Sequence, residues 1–219
     1  MIYAVCGAII LYRLVLCYGW IAFDRLHTIP FGLPRYSFWF LADGLLFLLT
    51  TLAVILFYRP VSPLFLWTSA PSRPVGTVKS VAWGVAGAAI AFACASPVFW
   101  GVEKNLGLIP MLISSALSPL PILELIVFSI ALALNSEIVF RGIVFRTFAE
   151  YASIPAAVLG SCLLFLFICP VLGVLSAIIL SVSSAILFYK TRNLIASVTA
   201  NLIFTLAGSG LTVYHSLQR

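Results

Sequence analysis

Charged side chains are scarce in this chain. Lys, Arg, Asp and Glu make up 8% of its 219 residues, whereas hydrophobic residues make up 63%. Soluble domains carry roughly a quarter charged residues, so the composition excludes an ordinary soluble domain and predicts an integral membrane protein. The 12 Lys and Arg are scattered along the sequence. This scatter does not indicate nucleic-acid binding and is typical of topology determinants and contacts with the lipid bilayer.

Metal-binding patterns are also lacking. The sequence has 2 His and 5 Cys, and no Cys-x-x-Cys or Cys/His ligand spacing occurs. All five cysteines lie in apolar stretches, so neither a disulfide framework nor a zinc knuckle is supported. We expect no metal and no cofactor, because Cys169 and Glu137 could supply at most two of the three or four ligands that zinc requires.

Apolar stretches separated by Pro, Gly and basic residues are abundant, and they predict an all-α membrane bundle. A chain that crosses lipid must form helices or closed barrels, and a helix of about 20 residues crosses a bilayer. We predict about seven spans, at residues 2–23, 37–58, 78–100, 122–145, 155–169, 172–189 and 194–214. They form one membrane domain, with N-terminal helices and loops over residues 1–121 and a core over residues 122–219.

The basic residues predict the orientation of these spans. Cytoplasmic loops are enriched in Lys and Arg. With a cytoplasmic N-terminus, the inside segments hold seven basic residues and the outside segments hold four. The sequence therefore predicts a multi-pass protein with its N-terminus in the cytoplasm. The seven inside residues are Arg59, Arg73, Lys79, Arg141, Arg146, Lys190 and Arg192.

The most unusual polar stretch is Asn-Ser-Glu-Ile-Val-Phe-Arg-Gly at residues 135–142. A charge at bilayer depth is costly unless it is paired or wet. Glu137 and Arg141 are four residues apart with the acid first, which favours a helical ion pair. A structural pair that ties one helix to its neighbours is the alternative to a catalytic role. Asp43 and Glu124 also lie in predicted spans, where a proton path is the alternative to a polar contact near a helix end.

Two further patches have helical spacing. Phe165 and Cys169 are four residues apart, and so are Asn201 and Thr205. Ser197 and Gly208 extend the second patch into a small and polar stripe. Such stripes often mediate helix packing in membranes, which is the alternative to a functional role.

The three patches together resemble the CPBP family, the CAAX protease and bacteriocin-processing (Abi) membrane proteins. That family is marked by Glu-Glu-x-x-x-Arg, usually continuing Phe-Arg-Gly, then Phe-x-x-x-His and His-x-x-x-Asn/Asp. Residues 136–142, Ser-Glu-Ile-Val-Phe-Arg-Gly, resemble the first motif, residues 165–169 the second and residues 201–205 the third. The resemblance covers about residues 123–206. It implies that a glutamate activates water inside the membrane, while His and Asn/Asp polarise the scissile carbonyl or bind a metal.

Four motif positions depart from the family pattern. Ser136 replaces the first Glu, Cys169 the first His, Asn201 the second His, and Thr205 the final Asn/Asp. Serine cannot act as a general base without a partner base. Asn201 can still donate from its amide and could serve in an oxyanion hole.

The departures leave three functional hypotheses open. The first is a catalytically degenerate homologue, a pseudo-enzyme that acts as a scaffold or binds another membrane protein subunit. The second is an active intramembrane endopeptidase that acts on peptide substrates through Glu137, Arg141 and Asn201. The third is a small transporter or proton relay built on Asp43, Glu124 and Glu137. A closed, packed site favours the first hypothesis, and a wet cavity at Glu137 favours the second.

Overall fold

The computed structural model describes residues 74–101, 119–168 and 174–217. Every regular element in these ranges is a helix, so the all-α prediction is confirmed for this part of the chain. The elements are α1 (Thr77–Gly101), α2 (Pro119–Glu137), a π-helical segment (Ile138–Phe145), α3 (Arg146–Tyr151), α4 (Ile154–Ile168), α5 (Val174–Thr191) and α6 (Leu194–Leu217). The predicted spans at residues 2–23 and 37–58 lie outside the described residues, so the count of seven stays a prediction.

Helices occur at the other five predicted spans, and local sequence explains where two of them begin. At α4, Ser153 accepts a hydrogen bond from the backbone N–H of Ala156 at 3.4 Å, and Pro155 fits the first helical turn because its missing N–H needs no partner there. At α6, the Asn193 side chain accepts from the backbone N–H of Ile195 at 3.0 Å. Both residues satisfy N–H groups that the first turn of a helix leaves without intrahelical partners.

The predicted span at residues 122–145 differs from a plain α-helix in its second half. Residues 138–145 are π-helical and continue directly from α2 into α3. All eight residues of this segment are buried. A π-helix bonds each N–H to the carbonyl five residues back, so each turn is wider and presents more side chains to the surrounding helices. Because the whole segment is buried, its sequence does not alternate between an apolar and a polar face, and so it does not reveal this widening.

The longest apolar helical stretch in the described part of the chain belongs to α1. Among the described helices, residues Thr77–Pro97 of α1 form the one stretch long and apolar enough to cross a bilayer by length and composition. Ile154–Leu166, Leu175–Thr191 and Leu194–Gly208 are shorter apolar stretches of α4, α5 and α6.

The two terminal helices of the described part, α1 and α6, pack closely together, and α6 also contacts α2 and α5. A Cβ atom added at Gly84 would meet the carbonyl oxygen of Ala196 at 2.6 Å, and one added at Gly87 would meet a methyl group of Leu187. The small residues that the sequence places on one face of α1 are therefore its contact face, because only small side chains allow this approach. That face consists of Gly84, Gly87, Ala88, Ala91 and Ala95.

Several polar side chains are buried inside this bundle, and several large apolar side chains are exposed on its outer faces. Buried polar residues include Ser80, Ser129 and Ser161. Large apolar residues on the outer faces include Val85, Ile90, Leu159, Leu163 and Ile203. Rows of exposed apolar side chains are unusual on soluble monomers and suit faces that contact lipid.

A short segment before α1 joins the turn between α5 and α6. The backbone N–H of Val75 donates to the carbonyl oxygen of Thr191 at 2.8 Å. The Asn193 amide donates back to the carbonyl oxygen of Val75 at 3.0 Å. We call these three residues the turn clasp. It fixes the first residues of α1 beside the end of α5 and the start of α6.

Candidate functional site

Glu137 and Arg141, the two charged residues of the 135–142 stretch, lie in contact at the junction of α2 and the π-helical segment. Nε of Arg141 lies 3.3 Å from Oε2 of Glu137, and both side chains are 0% exposed. The distance is that of an ion pair, although the Nε–H does not point at the oxygen closely enough for a hydrogen bond. The two residues are four positions apart and completely buried, so each charge depends on the other for stabilisation.

Asn201 of α6 binds the other oxygen of Glu137. Its amide nitrogen donates to Oε1 of Glu137 at 2.9 Å and to Oγ of Ser136 at 3.0 Å. Its amide oxygen accepts from the hydroxyl of Thr205 at 3.2 Å. Ser136 in turn donates to the carbonyl oxygen of Ala133 at 3.3 Å. Asn201 therefore uses its amide hydrogens to join α6 to the end of α2, while its amide oxygen is bound within α6.

The guanidinium of Arg141 reaches α5. Its Nη2 donates to the carbonyl oxygen of Ser181 at 2.6 Å and to the Ser181 hydroxyl at 2.9 Å. This contact crosses from the π-helical segment to a helix forty residues further along the chain. The arginine thus joins the acid of α2 to the backbone of α5.

An aromatic side chain of α4 covers the guanidinium. Arg141 Cζ lies 5.2 Å from the centre of the Phe165 ring, a distance at which a cation is attracted to the ring face. Phe165 is itself held edge-on by Phe140, with ring centres 5.5 Å apart. We call Ser136, Glu137, Arg141, Phe165, Ser181, Asn201 and Thr205 the inner polar cluster.

Nearly all of the inner polar cluster is closed to the outside. Glu137, Arg141, Phe165, Ser181 and Asn201 are 0% exposed. Ser136 and Thr205 are 1% and 4% exposed. The cluster is therefore a packed contact between four helices, and its carboxylate, Glu137, is not exposed.

The cluster offers limited chemistry as it stands. A general base must reach the proton that it removes, and both oxygens of Glu137 already face Arg141 or Asn201. The Ser136 hydroxyl points its hydrogen at a backbone carbonyl, so Glu137 does not activate it as a nucleophile. Within the described ranges, no three His, Cys, Asp or Glu residues come together as metal ligands.

The comparisons with known proteins agree with this geometry. Residues 118–207 match the family model described as Rce1-like: Type II CAAX prenyl endopeptidase Rce1-like. The matched model is one of the CPBP family. The family predicted from the motifs is thereby confirmed over less than half of the chain. No curated protein and no solved structure matches the chain.

The CPBP match spans the inner polar cluster and the elements that form it. The motif positions come from three separate helices and lie together around the Glu137–Arg141 pair. They are Ser136, Glu137, Phe165, Asn201 and Thr205. Cys169, at the first motif His, lies outside the described residues, as does Asp43. Glu124 belongs to α2, and its side chain lies outside the described part.

Ser181 is the member of the cluster that the sequence did not single out. Its helix contains four serines among apolar residues: Ser176, Ser181, Ser183 and Ser184. In the sequence each of them is simply a polar residue in a predicted span, so nothing distinguishes one from another. The arginine contact distinguishes Ser181 from the other three. That contact depends on how α5 packs against the π-helical segment, which the serine pattern does not encode.

Proposed function

We propose that this protein is a CPBP-type intramembrane protein that has lost peptidase activity and acts as a scaffold or partner-binding subunit. The observation that carries the proposal is the burial of Glu137 between Arg141 and Asn201. Its carboxylate lies 3.3 Å from Arg141 and 2.9 Å from the Asn201 amide, with no exposed surface. An anion held in this way joins α2 to α6 and, through Arg141, to α5, which is a structural role.

The substitutions around Glu137 support the same proposal. The position that matches the family's first glutamate carries Ser136, and the position of its second histidine carries Asn201. Neither side chain can take a proton from water near neutral pH. The two side chains instead bind each other at 3.0 Å, so the polar atoms that replace the catalytic groups complete the packing of α2 against α6.

An active glutamate-dependent endopeptidase is the alternative, and the family match favours it. The matched family model is that of an endopeptidase, and the Asn201 amide is a donor of the type that an oxyanion hole requires. In this alternative Glu137 would release one of its partners, admit water and act as the base. Substrate would therefore have to open the closed cluster.

A peptidase assay distinguishes the two functions. The purified protein would be tested against CAAX and leader-peptide substrates alongside Glu137→Gln and a matched control, Glu150→Gln, which changes an exposed acid. We expect no cleavage by any of the three. Cleavage by the parent and by Glu150→Gln that is absent from a folded Glu137→Gln variant would refute the pseudo-enzyme and identify Glu137 as the base.

The transporter or proton-relay hypothesis has weaker support. Glu124 precedes Glu137 by 13 residues in the same helix, a separation of about 20 Å along the axis at 1.5 Å per residue. Protons pass between groups within hydrogen-bond reach, directly or through one water. Glu124 and Glu137 therefore do not form one relay by themselves.

We also propose a multi-pass topology of seven spans with a cytoplasmic N-terminus. The exposed apolar faces of α1 and α4 support contact with lipid. Lys79, Arg146, Lys190 and Arg192 fall on segments that the proposed topology assigns to the cytoplasm. Single cysteines introduced at positions 79 and 190 in a cysteine-free background should both be modified only by a reagent supplied from the cytoplasmic side. Labelling of the two positions from opposite sides would overturn the topology.

A further inference from the structure

The basic residues of the described part are unevenly distributed. Apart from Arg141, which is in the inner polar cluster, they are Lys79, Arg146, Lys190 and Arg192. Lys79 is in the first turn of α1, Lys190 is in the last turn of α5, and Arg192 is in the turn that follows. We call these four residues the basic rim.

Contacts between neighbouring residues show that the basic rim lies at one end of the bundle. The turn clasp bonds Val75, just before α1, to Thr191, between Lys190 and Arg192. Phe145, which precedes Arg146, packs edge-on against Phe188 of α5 with ring centres 5.8 Å apart. The starts of α1, α3 and α6 and the end of α5 therefore meet at this end. Within the described ranges, the opposite ends of these helices carry no Lys or Arg.

Two members of the basic rim are open to the surroundings. Lys79 and Lys190 are exposed. Glu150 is exposed on α3 near the same end, and it is the one acidic residue there in the part of the chain that the structure describes. The rim therefore has a net positive charge on its accessible surface.

Aromatic residues accompany the exposed lysines. Trp83 lies one turn after Lys79 on α1 and is 51% exposed, and Tyr151 at the end of α3 is 85% exposed. Tyr189 lies beside Lys190 and faces the Arg192 guanidinium at 4.4 Å. Trp and Tyr are enriched at the level of the lipid headgroups, where their rings contact chains and their polar atoms remain wet. This combination of basic and aromatic residues is typical of the depth of a headgroup layer.

The backbone conformation of Arg192 is a further unusual feature of the basic rim. Arg192 follows the last residue of α5 with a φ of 55°. This left-handed conformation is usual for Gly at the end of a helix and costs other residues about 1–2 kcal/mol. The turn nevertheless carries a cation at this position, beside Lys190. A strained backbone position occupied by a charged residue is a reason to look for a function there.

We propose that the basic rim binds the headgroups of anionic phospholipids. The lysine ammonium groups donate to phosphodiester oxygens, while Trp83 and Tyr151 lie among the glycerol and upper acyl groups. The interaction uses a surface separate from the inner polar cluster. It therefore holds for a pseudo-enzyme and for an active peptidase alike.

The test measures lipid binding to the full chain. Purified protein in detergent is titrated with phosphatidylglycerol or with phosphatidylcholine, and bound lipid is counted by native mass spectrometry. Each lysine near an anionic lipid surface contributes a factor of about five. We therefore expect Lys79→Gln/Lys190→Gln to weaken phosphatidylglycerol binding about thirtyfold, with unchanged binding of phosphatidylcholine.

Matched variants control for folding and charge. Lys79→Arg/Lys190→Arg keeps the charges and should keep the binding, and Glu150→Gln removes an acid and should strengthen it. All variants should retain the parent's melting temperature in detergent, because both lysines are exposed. Equal phosphatidylglycerol binding by the parent and the double Gln variant would overturn the proposal. Displacement of the lipid by millimolar inorganic phosphate would also overturn it, because it would indicate a site for free anions.

Discussion

Arg141 and Arg192 are both buried arginines, and they lie in different regions of the bundle. Arg141 is 0% exposed in the inner polar cluster, and Arg192 is 9% exposed at the turn between α5 and α6. Each guanidinium faces an aromatic ring, at 5.2 Å for Phe165 and at 4.4 Å for Tyr189. Arg141 additionally has the Glu137 carboxylate at 3.3 Å and two oxygen atoms of α5.

The difference between the two arginines follows from depth. Asn201, which reaches the carboxylate beside Arg141, lies seven residues beyond Leu194 in α6. At 1.5 Å per residue this is about 10 Å from the end of the bundle that carries Arg192. A cation far from headgroups requires a counter-charge supplied by the protein, whereas a cation near them also has lipid and water available. The burial of Arg141 is therefore sufficient to explain why Glu137 is present beside it, and the ion pair alone does not indicate catalysis.

The largest expected effect separates the two arginines directly. Arg141→Leu leaves Glu137 buried without its counter-charge and should lower the free energy of unfolding by about 3–5 kcal/mol. Arg192→Gly should lower it by less than Arg141→Leu does, because glycine relieves the left-handed backbone at this turn. Unfolding in mixed micelles with increasing sodium dodecyl sulfate measures both. Equal losses would show that depth is not the deciding difference.

A double variant sharpens this result. Glu137→Gln combined with Arg141→Leu removes both charges, so it should recover part of the stability that Arg141→Leu loses. If the double variant is less stable than the single one by the full cost of a second deletion, the two side chains act independently and the ion pair is not the source of the effect.

The next effect concerns the neutral partner of the acid. Asn201→Ala removes the donor to Glu137 and Ser136 and should lower the free energy of unfolding by about 1.5–3 kcal/mol, the range for hydrogen bonds to charged groups. Thr205→Val removes only the donor to Asn201 and should cost about 1 kcal/mol. The same detergent unfolding assay ranks the two. A Thr205→Val loss as large as that of Asn201→Ala would contradict the central role of the Asn201 amide.

The turn region has its own polar residue to test. Asn193→Ala removes both the cap of α6 and the donor to Val75, and should cost about 1–2 kcal/mol. Asn193→Asp keeps an acceptor for the cap and loses the donor, so its loss should be smaller. Thermal unfolding in detergent measures this difference. An Asp variant as unstable as the Ala variant would mean that the turn clasp, and not the cap, provides the stability.

The smallest effect tests the contact that the sequence did not reveal. Ser181→Ala removes a hydroxyl acceptor from Arg141 but leaves the backbone carbonyl acceptor at 2.6 Å, so it should cost about 0.5–1.5 kcal/mol. Ser183→Ala is the matched control, because its hydroxyl donates within its own helix to Leu180. Thermal unfolding should rank Ser181→Ala below Ser183→Ala in stability. The reverse order would indicate that the carbonyl alone holds the guanidinium.

Sequence reasoning located the helices well where apolar stretches end at recognisable residues. Pro155 marks the start of α4, and Lys190 to Asn193 separate α5 from α6. The spacing of Glu137 and Arg141 also predicted their pairing, because residues four apart share a helix face. These features depend on local chemistry alone.

Contacts between helices were harder to predict from the sequence. Asn201 and Glu137 are 64 residues apart and have no local relation, so only their shared membership of the family's motifs links them in the sequence. Ser181 was missed because four serines of α5 give the same signal. The π-helical segment was missed because every residue from Ile138 to Phe145 is buried, so no polar face marks the change in helical period.

The separation of partners along the chain has a consequence for the order in which the protein assembles during synthesis. Glu137 and Arg141 are four residues apart, so their charges can pair while that helix is still entering the membrane alone. Val75 and Asn193 are 118 residues apart, and the turn clasp cannot close until α6 begins to emerge from the ribosome. The local ion pair therefore stabilises the charged helix before α6 has been synthesised. Synthesis of α6 then allows the Asn201 contact and the turn clasp to form together.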